Sequence, residues 1–281
     1  MACPNDYGAL KIFDNKLVCK SCNAEFRIID ENTVNLVPHN EENLVTPQSK
    51  DVYSKIYFDL RNIGHPTNPK ARRWGLESKS IPLGFVTKLR ETILRIIDDS
   101  IICDVGAGAG DYSLVLAKKS KLVFHCDLDL EAINAAKAKA KKLNLNNIIF
   151  VISDYFSLPF HHNSLPCITC IDVLERGKEH DMKLFEQMSQ KLKPKGTLIA
   201  DFHSKERTKL THASNLETRY SRNELLTIFP KFNFKIFKIK GTGYFPQIGI
   251  QSILIYKICD TISKIIFPPA RWLVSATKIS E

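Results

Sequence analysis

The chain has 281 residues, enough for one substantial core and a small appendage. Hydrophobic and charged contents of 44% and 25% are those of an ordinary globular protein, and no uncharged apolar run reaches 18 residues, which argues against a membrane-spanning helix. A net charge of +10 favours contact with phosphates, nucleic acid or an anionic membrane surface, although a solvated lysine-rich surface gives the same count. Eight cysteines do not suggest a disulfide scaffold, and Asp6 and Lys11 interrupt any leader-like succession at the start. A cytoplasmic protein is expected.

In chain order, residues 1–38 are short, strand-like and carry Cys3, Cys19 and Cys22. Residues 39–79 begin with the polar linker His39-Asn40-Glu41-Glu42-Asn43 and continue into a helical segment. The main domain spans 80–281. Its first helix, 83–98, has Phe85, Leu89, Ile93 and Ile96/Ile97 at helical spacing. An alternation follows: strand 100–105, helix from 112 to 118, strand 122–126, helix 131–143, strands 148–152 and 167–173, helix 179–192, strand 197–202. Apolar strands alternating with helices predict an α/β fold with a largely parallel sheet covered on both faces. Two further strands, 232–239 and 272–277, flank an apolar segment at 244–267.

The chemistry-bearing stretch is Asp104-Val105-Gly106-Ala107-Gly108-Ala109-Gly110-Asp111. A strand enters a glycine turn that lets a ligand approach the backbone closely, and the following helix offers unpaired N–H groups. Open α/β sheets bind ligands at such strand ends. Asp111 stands where a dinucleotide fingerprint places its third glycine, and Asp104 would repel a pyrophosphate while attracting a ligand's ammonium group. Asp127 ends the second strand, where a carboxylate can accept from two ribose hydroxyls; Asp129 is the close alternative. Asp154 ends the third strand, placed to accept from an adenine amino group. Helix capping is the competing role for each acid.

Residues 99–203 resemble the class I S-adenosylmethionine (SAM) dependent methyltransferases, particularly their small-molecule branch. The resemblance rests on Asp104–Gly110, Asp127, Asp154 with Leu158-Pro159-Phe160, and Cys170-Ile171-Asp172-Val173-Leu174-Glu175. It implies a Rossmann-like seven-stranded sheet and SAM as cofactor. The residues implied for the cofactor are Asp104, Gly106, Ala107, Gly108, Gly110, Asp127, Leu128, Asp154, Tyr155 and Ile171. Many members place a histidine after the acid matching Glu175; here it is Arg176, so any role of that histidine does not carry over.

Methyl transfer is an in-line displacement that needs proximity, alignment and a nucleophile in the right protonation state. His203, after the fifth strand, is the leading candidate base, with Asp172, Tyr155 and Glu175 as rivals. Asp172 is alternatively a contact for the methionine end. Cys167 and Cys170 point to opposite faces of a strand and read as buried structural thiols.

At the start of the chain, Cys3, Asp6, Cys19 and Cys22 have zinc-ribbon spacing with Asp6 in place of a cysteine, and the segment resembles the small zinc ribbons fused or bound to several methyltransferases. A zinc-bearing site and a metal-free ribbon held by its own core are both open. The ribbon and the basic helix with Lys137, Lys139, Lys141 and Lys142 make an rRNA or tRNA base methyltransferase the rival of an enzyme acting on oxygen or carbon of a small or lipid-like acceptor. A catalytically silent scaffold is the third reading. Near the other end, Ile250, Leu254, Ile258, Ile262 and Ile265/Ile266 form a stripe opposite Lys257, Asp260, Thr261 and Lys264. Such a stripe packs on its own domain, covers an apolar substrate as a lid, or meets a lipid surface as a peripheral helix.

Overall fold

The computed structural model describes residues 1–37, 83–97, 100–174, 177–207, 219–245 and 253–280. Linker 39–79, Glu175, Arg176 and Ile250 lie outside the described residues. The strands are β1 Leu10–Phe13, β2 Lys16–Cys19, β3 Glu25–Asp30, β4 Thr33–Asn35, β5 Ile101–Val105, β6 Leu122–Asp127, β7 Ile148–Ile152, β8 Leu165–Cys170, β9 Leu192–His203, β10 Phe234–Thr242 and β11 Arg271–Lys278. The helices are α1 Leu83–Leu94, α2 Ser113–Leu116, α3 Leu130–Lys142, α4 Lys178–Lys191, α5 Arg222–Ile228 and α6 Ile253–Ser263.

All eleven strands form one sheet in the order β1-β2-β3-β4-β7-β6-β5-β8-β9-β11-β10. From β4 to β9 the neighbours are parallel. β11 inserts antiparallel between β9 and β10. The seven strands from β7 to β10 are the expected Rossmann-like sheet. The cysteine-bearing segment adds four more, because β4 pairs parallel with β7 through Thr33↔Phe150, Val34↔Val151 and Asn35↔Ile152. It therefore continues the sheet.

Alternation along the buried strands divides the core into two layers. Ile102 and Ile199 pack with Leu89 and Ile93 of α1, Leu114 of α2, Ile133 and Ala136 of α3, and Tyr256 of α6. Cys103, Val105, Leu198, Ala200 and Phe202 face the other way, toward Leu184, Phe185 and Met188 of α4, Leu225 of α5, and Phe26 and Leu36 of the N-terminal segment.

Several expectations need correction. The first helix ends at Leu94, and the helix after the glycine loop is a single turn. β8 stops at Cys170, so Ile171 and Asp172 lie in the loop beyond it. The stripe on α6 does not pack inward: Leu254, Ile258, Ile262, Ile265 and Ile266 are 52–87% exposed. Tyr256, Asp260 and Ser263, spaced i, i+4, i+7, form the inner face instead. The backbone N–H of Phe245 donates to the buried Asp260 carboxylate at 2.9 Å, which fixes that orientation.

Candidate active site

β5 delivers the chain into three glycines in the left-handed region, Gly106 at φ +66°, Gly108 at +53° and Gly110 at +82°. At Gly106 a side chain is excluded twice over, because a Cβ would also lie 2.5 Å from Val173 Cγ2. The Ala107 N–H donates to the Cys126 carbonyl at 3.0 Å and the Gly108 N–H to Asp127 Oδ2 at 2.7 Å, so the loop is tied to the end of β6.

Asp127 also accepts from the Asp129 N–H at 2.9 Å. Burial raises its pKa, and these backbone donors act against that shift. Asp129 instead caps α3, accepting from the Glu131 N–H at 2.9 Å. The backbone thus gives the two acids different partners. Leu128 lies between them, half-buried. Asp154 caps the one-turn 3-10 helix Tyr155–Ser157 by accepting from the Phe156 N–H at 2.8 Å, and burial raises its pKa.

Asp104 departs from expectation. It is 2% exposed, and its oxygens accept from Ser113 Oγ at 2.5 Å and Thr169 Oγ1 at 2.7 Å. Its carboxylate secures the loop from beneath and does not face outward to a ligand's ammonium. Burial pushes its pKa up to about 6. The same Ser113 Oγ lies 2.9 Å from Nδ1 of buried His125, whose pKa burial lowers to about 3. With Asp104 ionised, the single serine proton goes to the carboxylate, so neutral His125 donates from Nδ1.

On the other flank, Asp172 adopts φ +65° and donates its N–H to Asp201 Oδ1 at 2.7 Å. Arg271 of β11 donates to Asp201 Oδ2 at 2.8 Å and also pairs with Asp172. Asp172 is thus an ion-pair partner, which opposes service as a base. Ile171 is buried beside it. His203 stands two residues beyond Asp201, on the same face of β9, and opposite Arg271 in the register. The Tyr155 hydroxyl lies 2.8 Å from His180 Nε2, His180 Nδ1 is 3.3 Å from Asp181 Oδ1, and the Tyr220 hydroxyl donates to Asp181 Oδ2 at 2.7 Å.

Arg90, Asp201, Arg271 and His180 carry no signal of a site role in the sequence pattern, and Lys139 stands out there only as part of the basic run on α3. Arg90 of α1 and Lys139 of α3 converge on Asp111 at 3.3 and 3.8 Å, and Lys139 also donates to the Ala109 carbonyl at 2.9 Å. The nearest thing to a signal is Lys139's position between buried Ala136 and Ala140. Lys137 pairs with Asp30 at the end of β3. The basic run on α3 is therefore half committed to internal partners.

In the N-terminal segment, the Sγ atoms of Cys3, Cys19 and Cys22 and a carboxylate oxygen of Asp6 all lie within 4.8 Å of one another. Cys3 Sγ is 3.6 Å from Cys22 Sγ, and Cys19 Sγ is 3.3 Å from an Asp6 oxygen. A tetrahedral zinc with bonds of about 2.3 Å to sulfur sets its donors roughly 3.8 Å apart, so this set fits one. Burial raises the Cys3 pKa to about 12; a bound cation would act against that shift.

A glycine loop, an acid after β6 and an acid after β7 all stand at strand ends of a Rossmann-like α/β sheet. Residues 102–196 match the family described as a methyltransferase domain. The ubiquinone/menaquinone biosynthesis C-methyltransferase of Rickettsia prowazekii is 33% identical over 117 residues, covering 39% of this chain and 47% of that protein. The chloroplastic magnesium protoporphyrin IX methyltransferase of Arabidopsis thaliana is 31% identical over 103 residues, covering 34% and 32%. The chain thus spans about half, or less, of the curated relatives it matches. Among solved structures, magnesium protoporphyrin IX methyltransferase from Synechocystis PCC 6803 with bound SAH shares the fold at a TM-score of 0.57 and 16% identity, covering 82% of this chain and 98% of that one.

Proposed function

We propose that the chain is a SAM-dependent methyltransferase acting on oxygen or carbon of a small or lipid-like acceptor. The observation that carries this reading is the Gly108–Asp127 hydrogen bond, which sets a carboxylate beside a glycine loop. SAM would supply the electrophilic methyl group. Asp127 would hold the ribose and Asp154 the adenine edge, while the turn Gly106-Ala107-Gly108-Ala109-Gly110, whose glycines all take positive φ, would present its backbone to the ligand. His203 is the best-placed base for an acceptor proton, and Tyr155, bonded to His180, is the second.

The relatives' names include a C-methyltransferase of quinone biosynthesis and a porphyrin methyltransferase. Both point toward large, mainly apolar acceptors. The exposed leucine and isoleucines of α6 agree with an acceptor met at or near a lipid surface. The RNA reading is weakened by the internal pairing of Lys137 and Lys139. Cys3, Asp6, Cys19 and Cys22 would hold a structural zinc.

The test is transfer of labelled methyl groups from SAM into separated lipid, small-molecule and RNA pools of a cell extract. Label in the lipid or small-molecule pool supports the reading. Label in RNA alone would overturn the acceptor class, and SAH binding with no label in any pool would favour the scaffold.

A further inference from the structure

We propose that metal capture by Cys3, Asp6, Cys19 and Cys22 sets the affinity of the glycine-loop site for its nucleoside ligand, acting through residues 153–160. The inference rests on the SAM-binding reading above.

The two residues flanking Cys3 are both bonded to that loop. The Ala2 N–H donates to the Pro159 carbonyl at 2.8 Å, and Ser157 Oγ donates to the Pro4 carbonyl at 2.7 Å. Between these anchors and β7 lie Asp154 and Tyr155. The ribbon grips the other side of the same loop through β4, which pairs with β7, and through the Leu36 N–H, which donates to the Ile152 carbonyl at 2.8 Å. Cys3, Cys19, Phe26 and Leu36 share one apolar cluster with Val151, Leu158 and Phe160. A third tie is Tyr7, whose ring lies 3.1 Å from the Nζ of fully buried Lys191 on α4.

Four strands of three to six residues bury little apolar surface of their own. Units of this size depend on a metal or a neighbour for their fold. A cation joining Cys3 to the Cys19/Cys22 turn fixes the one ribbon segment that carries both loop anchors. Its removal frees Ala2 and Pro4 and leaves Asp154 and Tyr155 to order themselves when ligand arrives. Linkage is reciprocal, so bound ligand must raise the metal affinity by the same factor.

The test is calorimetry of SAH with the full chain, zinc-loaded and chelator-stripped, with zinc content measured and folding followed by circular dichroism. We expect SAH to bind at least about fivefold more weakly to the stripped protein, and SAH to raise zinc affinity by the same factor in equilibrium competition with a chromogenic chelator. Ser157→Ala keeps all four ligands and removes one anchor; it should retain zinc and show a smaller ratio between loaded and stripped affinities. Should stripping unfold the chain, the loaded Ser157→Ala protein decides alone, by weaker SAH binding and a smaller gain in zinc affinity on adding SAH in the same equilibrium competition. Equal affinities with and without zinc, or Ser157→Ala behaviour identical to the parent, overturn the inference. Absence of zinc from protein purified with zinc present overturns it too. Loaded protein that fails to bind SAH overturns instead the reading on which it rests.

Discussion

The backbone N–H of Gly108 points at the carboxylate of Asp127 across 2.7 Å, so the loop and the acid that would share a ribose are joined before any ligand enters. Asp127→Asn preserves shape and one acceptor but removes the charge and puts an amide donor near a backbone donor. SAH affinity should fall roughly tenfold or more, in line with about 1.5–3 kcal/mol for a hydrogen bond to a charged group, while the circular dichroism spectrum stays the same. Unchanged affinity in calorimetry would mean that the ribose lies elsewhere.

Gly106 carries both a positive φ and a contact with Val173. Gly106→Ala should lower stability by about 1–3 kcal/mol in urea unfolding. Adding Val173→Ala removes the clash and leaves the backbone strain. The double variant should therefore recover less than half of the stability that the single one loses; full recovery would show that only the clash mattered.

Asp104 gives a pH dependence whose sign is fixed by its raised pKa, about 6 against an ordinary 3.8. Its burial favours the protonated form, so its contribution to stability is complete below about pH 3.8 and is lost as pH rises through about 6. Replacing it by Asn removes that dependence. Relative to the parent, Asp104→Asn should gain stability between pH 4 and 7, by up to about 3 kcal/mol, measured as the difference between the two urea midpoint series. A flat difference across that range would contradict the buried, ionisable state.

Arg271 bridges fully buried Asp201 and the partly exposed Asp172. Arg271→Ala strands a carboxylate without its cation and should cost about 3–5 kcal/mol, read from thermal or urea unfolding. Asp201→Asn in the same background should restore part of that loss. An Arg271→Ala protein as stable as the parent would show that the bridge contributes nothing.

The parallel sheet is legible in the sequence because its strands are buried on both faces and read as continuous apolar runs, as in Ile101–Val105 and Ile148–Ile152. The strand-end acids are legible for a related reason: a carboxylate after such a run stands out. What each acid does is not, since Asp127, Asp129 and Asp154 differ in burial and in which backbone N–H groups reach them, and neither is written in the local sequence. Asp104 looks outward in the sequence and lies inward in the fold because Ser113 and Thr169, on two other elements, supply its donors. α6 misleads for the opposite reason. Its apolar stripe is real, but Asp260 finds an N–H at Phe245, and Tyr256 fills the layer against α1, so the polar edge goes inside.

The pairing of β4 with β7 bears on how the chain is made. During synthesis β4 emerges roughly a hundred residues before the strand it hydrogen-bonds to, a wait of several seconds or more at ribosomal speed. Throughout that interval β4 presents an open sheet edge, a template for pairing with other nascent chains. A ribbon already closed around its own metal would cross that interval as a folded hairpin unit. Expression in zinc-depleted medium would then lower the soluble yield at the step of chain synthesis, before any question of catalysis arises.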